Sequence, residues 1–228
     1  MRKMNDINVR FRLRPGMLKT IVGCLAALMA LSLPRALAGT DMKAMTPPSC
    51  CSENDWTIEL SSGAGWSNVR SGQPNQAYTI VPVSLTASMK LDDVSLDHFL
   101  GGWLRGYSEF CFSADYGQIV HGPETHYEGL FVGPRYNFVQ PGWMIVPFVE
   151  GGIGFDFADS DPEMGGLGQD FNFTFGVAAG VRYNINDDWF VRLAVDYRHV
   201  SNAGLSEPQF PNHPIDSLGP RLSVGYSF

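Results

Sequence analysis

The chain has 228 residues, enough for one domain of ordinary size, and its 17% charged content falls below the roughly 25% of a typical soluble protein. Aromatics at 12% together with 25 glycines lean toward a β-rich architecture. An export signal is expected over residues 1–38, where Arg2, Lys3, Arg10, Arg12, Arg14 and Lys19 precede the apolar run Ile21 to Leu33 and Ala36-Leu37-Ala38 offers a cleavage site. That run is too short to span a bilayer as a helix, and most of it follows Cys24, which argues against a lipoprotein box. Its removal takes seven of the 16 basic residues and one of the 23 acidic ones, leaving nine against 22, so nucleic acid is not expected as a partner.

Residues 39–54 read as a mobile leader, Pro-rich at Thr46-Pro47-Pro48-Ser49 and carrying Cys50 and Cys51. Cys111 is the third cysteine of the mature chain, an odd count that excludes complete internal pairing, and no ligand spacing suggests a metal. From residue 55 to 228 the pattern is that of one β-domain. Eight strand-like segments follow one another, roughly Trp56 to Trp66, Tyr78 to Leu91, Gly102 to Val120, Tyr127 to Phe138, Met144 to Asp156, Asp170 to Asn184, Trp189 to Asn202 and Asp216 to Phe228. Turn residues such as Gln140-Pro141-Gly142 and Asn184-Ile185-Asn186-Asp187-Asp188 separate them.

The later segments alternate cleanly. Phe171, Phe173, Phe175, Val177, Ala179, Val181 and Tyr183 share one face, while small, polar and charged residues, Arg182 among them, fill the other. A soluble sandwich would bury the bulky face and expose dense charge. A small membrane barrel does the reverse, packing small and polar groups inside and turning its bulk to lipid. Tyr183, Trp189, Tyr226 and Phe228 suit an interfacial girdle, and the closing Leu-Ser-Val-Gly-Tyr-Ser-Phe resembles the C-terminal signature of outer-membrane barrels. The expectation is an all-β, eight-stranded antiparallel transmembrane β-barrel, with Glu109, Arg105, Asp115, Arg135, Glu150, Arg182 and Arg221 as mutually paired interior charges.

Chemistry concentrates near the end of the seventh segment. Leu193, Val195, Tyr197, His199 and Ser201 lie on one side of that strand, and ten residues of tilted strand from Trp189 climb roughly 25 Å, which puts His199 at the outer interface. Asp216 falls on the apolar face of the next strand, near the same rim. A serine needs a base to become a nucleophile, and a carboxylate orients that base. His199 and Ser201, about 6 to 7 Å apart at Cα, are within rotamer reach of one another. Asn202, Ala203, Gly204 and Asn212 offer amide donors for an oxyanion just beyond the strand. Headgroup-solvated polar residues on a non-catalytic barrel serving adhesion or transport are the competing reading. Glu207 is a rival acid, located in the loop. The acidic stretch with Asp156, Asp159, Asp161, Glu163 and Asp170 and the pair His121 and His126 read as solvated loops rather than metal sites.

His199-Val200-Ser201-Asn202-Ala203-Gly204, then Pro211-Asn212 and an acid four residues later at Asp216, resembles the PagL-type outer-membrane lipid A 3-O-deacylases. The resemblance implies a serine esterase acting on lipid A in the bacterial outer membrane, with Ser201 as nucleophile, His199 as base and Asp216 as acid. It also implies oxyanion support from Asn212, Gly204 and Asn202, and no cofactor. Asp216 stands where the family commonly has a glutamate, and the segment between Gly204 and Asn212 is longer than the family's. The acyl chain removed, the regulation and the oligomeric state, a homodimer being one option, are not set by these residues.

Overall fold

The computed structural model describes residues 55–67, 77–160 and 165–228. The expected export signal and leader lie outside the described residues. The strands are β1 (Trp56–Gly63), β2 (Gly65–Ser67), β3 (Tyr78–Lys90), β4 (Gly106–His121), β5 (His126–Phe138), β6 (Ile145–Ala158), β7 (Phe171–Asn184), β8 (Trp189–Ser201) and β9 (Ile215–Ser227). Each pairs antiparallel with its neighbours, and β1 pairs with β9, so the sheet closes on itself. β1 and β2 both lie between β3 and β9 and form one stave broken at Ala64, which makes the barrel eight-stranded. At the break the Ala64 carbonyl oxygen comes within 1.7 Å of where a Cβ on residue 219 would sit, so only glycine fits there.

One strand begins later than its composition suggests. Leu100, Gly101 and Gly102 have φ of 49°, 67° and 87°, incompatible with extended backbone, and residues Phe99–Gly102 form a short 3-10 turn instead. The Asp92 carboxylate, just past β3, accepts the Ser108 amide at 2.6 Å, tying the start of this connection to β4. Arg105, expected among the interior charges, stands in this turn ahead of β4.

The barrel is inside-out relative to a soluble protein. Glu59 is 2% exposed while its neighbours Ile58 and Leu60 are 43% and 58% exposed. Leu85, Phe112, Leu130, Ile153, Val177, Leu193 and Leu222 likewise face outward. Such an apolar wall has no favourable place in water and an obvious one in hydrocarbon. At the end carrying the short turns, Trp189 meets Tyr226 edge-on at 5.1 Å and Tyr226 stacks on Phe228, forming part of an aromatic girdle.

Ion pairs fill the middle of the lumen. Arg192 bonds Glu59 and reaches Glu109 at 3.2 Å; Arg135 reaches Glu109 at 3.1 Å and Glu150 at 2.6 Å. Arg221 bridges Glu150 to Asp196, and Arg198 binds Asp115 at 2.6 Å. Eight staves leave so little interior width that these charges must find one another. Cys111 is a buried free thiol whose sulfur accepts from Ser88 at 3.3 Å. Toward the loop end Tyr78, Ile80, Ile119, Tyr127, Ala158, Leu167, Val200 and Ile215 pack into an apolar cap. β8 and β9 are therefore backed by the ion-pair layer and the apolar cap, with a small cavity between them lined by Asp196, Arg198, Ser217 and Arg221.

Candidate active site

The register of β8 against β9 sets His199 directly opposite Asp216. Both side chains point to the outer face, and His199 Nδ1 bonds Asp216 Oδ1 at 2.7 Å. A carboxylate accepts only, so Nδ1 carries the hydrogen, the tautomer in which Nε2 is the ring's acceptor. Ser201 follows His199 by two residues on the same strand and the same side.

The backbone changes direction immediately after Ser201. Ala203 and Gly204 have φ of 56° and 81°, two successive left-handed residues that lift the chain off the barrel rim. Asn202 shapes this turn: its Oδ1 accepts the Gly204 amide at 2.8 Å, and its Nδ2 donates to the Leu167 carbonyl at 2.6 Å and to Ser206 Oγ at 2.8 Å. Fully buried, Asn202 is the pin of the loop.

Two donors converge on Ser201 Oγ. Asn212 Nδ2 lies at 2.9 Å and the Ala203 amide at 3.2 Å. Asn212 Oδ1 accepts the Asn202 amide at 3.4 Å, which sets which end of the Asn212 amide faces the serine. Neither bond uses the hydroxyl's own hydrogen; His199, two residues back on the same face, is hydrogen-bonded to Asp216 and not to Ser201 in this structure. The Gly204 amide is engaged by Asn202, so of the two backbone amides it is Ala203's that faces the serine oxygen.

Support extends to loops that the sequence reading took as solvated. The buried Glu124 carboxylate accepts the Leu167 amide and the Tyr78 hydroxyl, each at 2.7 Å, and so holds the segment against which Asn202 is anchored. The His213 amide donates to the Gly166 carbonyl at 2.8 Å. Tyr197, two residues before His199, donates its hydroxyl to Asp216 Oδ1 at 2.8 Å. Its place on the His199 face was legible from the period of two, but its reach across to β9 was not. Glu207 is exposed in the loop, where its amide donates to the Gly204 carbonyl at 3.1 Å.

The weaker candidates find other neighbours. Asp159, just past the end of β6, accepts the Thr125 hydroxyl and the Thr125 and His126 amides, the amides at 2.9 Å. Burial pushes its carboxyl up a little, but these three donors outweigh that and hold it below the usual aspartate range. Asp170 accepts the Ser160 amide at 3.2 Å, and Asp156 binds Thr174 inside the barrel. Asp161 and Glu163 lie outside the described residues.

A closed eight-stranded barrel with an apolar outer wall defines an outer-membrane type of protein. Residues 83–226 match the family model of the lipid A 3-O-deacylases (PagL), well over half of the chain, and the chain belongs to that family. It is accordingly an ester hydrolase of the bacterial outer membrane, a lipid A deacylase. Among solved structures, the outer membrane enzyme PagL is 22% identical with a TM-score of 0.47, covering 73% of this chain and 97% of that one. Neisserial surface protein A is 13% identical with a TM-score of 0.50, covering 76% of this chain and 97% of that one, a likeness of fold alone. Protein opa of Haemophilus influenzae is 22% identical over 107 residues, 46% of this chain and 82% of the relative.

Proposed function

We propose that Ser201, His199 and Asp216 carry the deacylation and that the Ala203 amide and Asn212 Nδ2 stabilise the oxyanion. The observations that support this are the His199–Asp216 hydrogen bond, the two donors on Ser201 Oγ, and the shared outer face of β8 that carries His199 and Ser201 two residues apart. Ser201 Oγ attacks the carbonyl carbon of the acyl ester as its proton passes to His199 Nε2, and Asp216 stabilises the imidazolium that forms. The negative charge that develops on the carbonyl oxygen faces the two donors. Collapse returns the proton from His199 to the departing sugar oxygen, releasing deacylated lipid A and leaving the acyl group on Ser201. Water, deprotonated by His199, then attacks that ester and frees the fatty acid.

The outward placement suits a substrate that is itself a membrane lipid, because lipid A reaches the serine laterally within the leaflet. Phe173 and Phe175 of β7 lie beside Ser201 and His199 in the register and are about half exposed, an apolar flank for acyl chains. The family's description points to the 3-O-linked chain as the one removed. Residues 1–38 serve as the export signal in this reading, with residues 39–54 leading into the barrel.

The test is the mass spectrum of lipid A from cells expressing either the wild type or Ser201→Ala. The wild type lowers the mass by one acyl group, and the variant leaves lipid A intact while still showing the heat-modifiable gel mobility of a folded barrel. Acyl loss undiminished in Ser201→Ala overturns the assignment.

A further inference from the structure

Asp216 Oδ1 receives two donors, His199 Nδ1 at 2.7 Å and the Tyr197 hydroxyl at 2.8 Å. In the β8–β9 register Tyr197 faces Leu218 and His199 faces Asp216, so the tyrosine reaches its carboxylate along the diagonal of the ladder. We infer that Tyr197 is a positioning residue for deacylation, clamping the short Asp216 carboxylate in the orientation that holds His199; this rests on the triad proposed above.

An outward tyrosine on a membrane barrel ordinarily serves the interface, its ring in the apolar region and its hydroxyl among headgroups. Tyr197 departs from that pattern. It is half-buried, as is Leu218 opposite it, and its hydroxyl is directed at the same oxygen that His199 uses. An aspartate carboxylate can rotate about its last bond, and a single hydrogen bond to an imidazole leaves that rotation loosely held. A second donor on the same oxygen removes the freedom and keeps the acceptor aimed at Nδ1, and hydrogen bonds to ionised groups are the stronger kind. It also leaves the proton on Nδ1, because an oxygen that already accepts from a phenol is a poorer base.

The test is a double-mutant cycle on the detergent-solubilised full chain, measuring release of fatty acid from lipid A in mixed micelles for wild type, Tyr197→Phe, Asp216→Ala and the pair. Tyr197→Phe keeps the ring and removes only the hydroxyl. The expected result is a loss of about tenfold in kcat with apparent KM within about twofold, and less than about twofold further loss when it is added to Asp216→Ala. Labelling of Ser201 by a serine-reactive phosphonate, read only on the folded gel band, should slow in parallel and reports on folded molecules whatever the yield of the variant. A wild-type rate in Tyr197→Phe, a change confined to KM, or losses that multiply across the pair overturn the inference. Ser201→Ala in the same assay separates the two levels: activity there sinks the triad itself, whereas an inactive Ser201→Ala beside a neutral Tyr197→Phe sinks only the role of Tyr197.

Discussion

Asp216 stands opposite His199 across the β8–β9 ladder, and one oxygen of its carboxylate accepts the imidazole Nδ1 at 2.7 Å although seventeen positions of sequence separate them. Asp216→Ala removes the acceptor that selects the tautomer and should lower kcat by about 10²–10⁴-fold with little change in apparent KM. Asp216→Glu restores a carboxylate on a longer arm and should retain most of the activity. Steady-state rates on lipid A micelles check both, and an Asp216→Ala enzyme as fast as wild type would remove the acid from the mechanism.

Asn212 reaches Ser201 from the far end of the loop, with its Nδ2 at 2.9 Å from the serine oxygen. Asn212→Ala takes away one of two oxyanion donors while the Ala203 amide stays, so kcat should fall by about 10²–10³-fold and activity should not vanish. Comparing kcat with apparent KM decides whether the asparagine acts on the transition state. A rise in KM alone would make it a substrate-binding group.

Within the lumen Arg192 serves both Glu59 and Glu109, and all three are almost fully buried. Arg192→Met takes the nearest cation from Glu59 and leaves Glu59 and Glu109 to share Arg135, so it should cost up to about 3–5 kcal/mol of stability, because an under-compensated buried charge costs more than a lost surface pair. Adding Glu59→Leu should recover part of that loss. Urea unfolding of the barrel in lipid vesicles measures both, and an unchanged midpoint in Arg192→Met would show that water reaches the network.

Asp159 gives the loop end a pH dependence. Its carboxyl lies below the ordinary aspartate value in the folded protein, so its contribution is complete above the unfolded value of about 3.9 and is lost as pH falls through the lower folded one. Hydrogen exchange at the Thr125 and His126 amides should show protection at neutral pH in the wild type and fast exchange in Asp159→Asn. Below the window the two proteins should converge once exchange is corrected for intrinsic rates. A difference that persists unchanged into strong acid would assign the protection to some other contact.

The barrel and the location of its chemistry were open to reading from the sequence because a strand has a period of two. Alternation over residues 171–184 and 189–201 placed bulk outside and Arg182 inside, and the same parity put His199 and Ser201 together on the outer face. Glu59 escaped notice as a lumen charge because it lies in the short first stave, broken at Ala64, where few residues carry the pattern. Glu124 escaped because a glutamate in a Gly-Pro turn looks solvated until Tyr78 and Leu167 are seen to close over it.

By itself the sequence determined the antiparallel staves, the inverted faces and the outward side of His199, Ser201 and Asp216, since local periodicity alone decides where successive side chains point. Only the tertiary structure decided which residues meet. Register between β8 and β9 matches His199 to Asp216 and lets Tyr197 reach the same oxygen; the left-handed pair at Ala203 and Gly204 turns the Ala203 amide, rather than Gly204's, toward Ser201. These are consequences of hydrogen-bond alignment between strands and of backbone dihedrals in a loop, and neither is written in the spacing of residues along one chain.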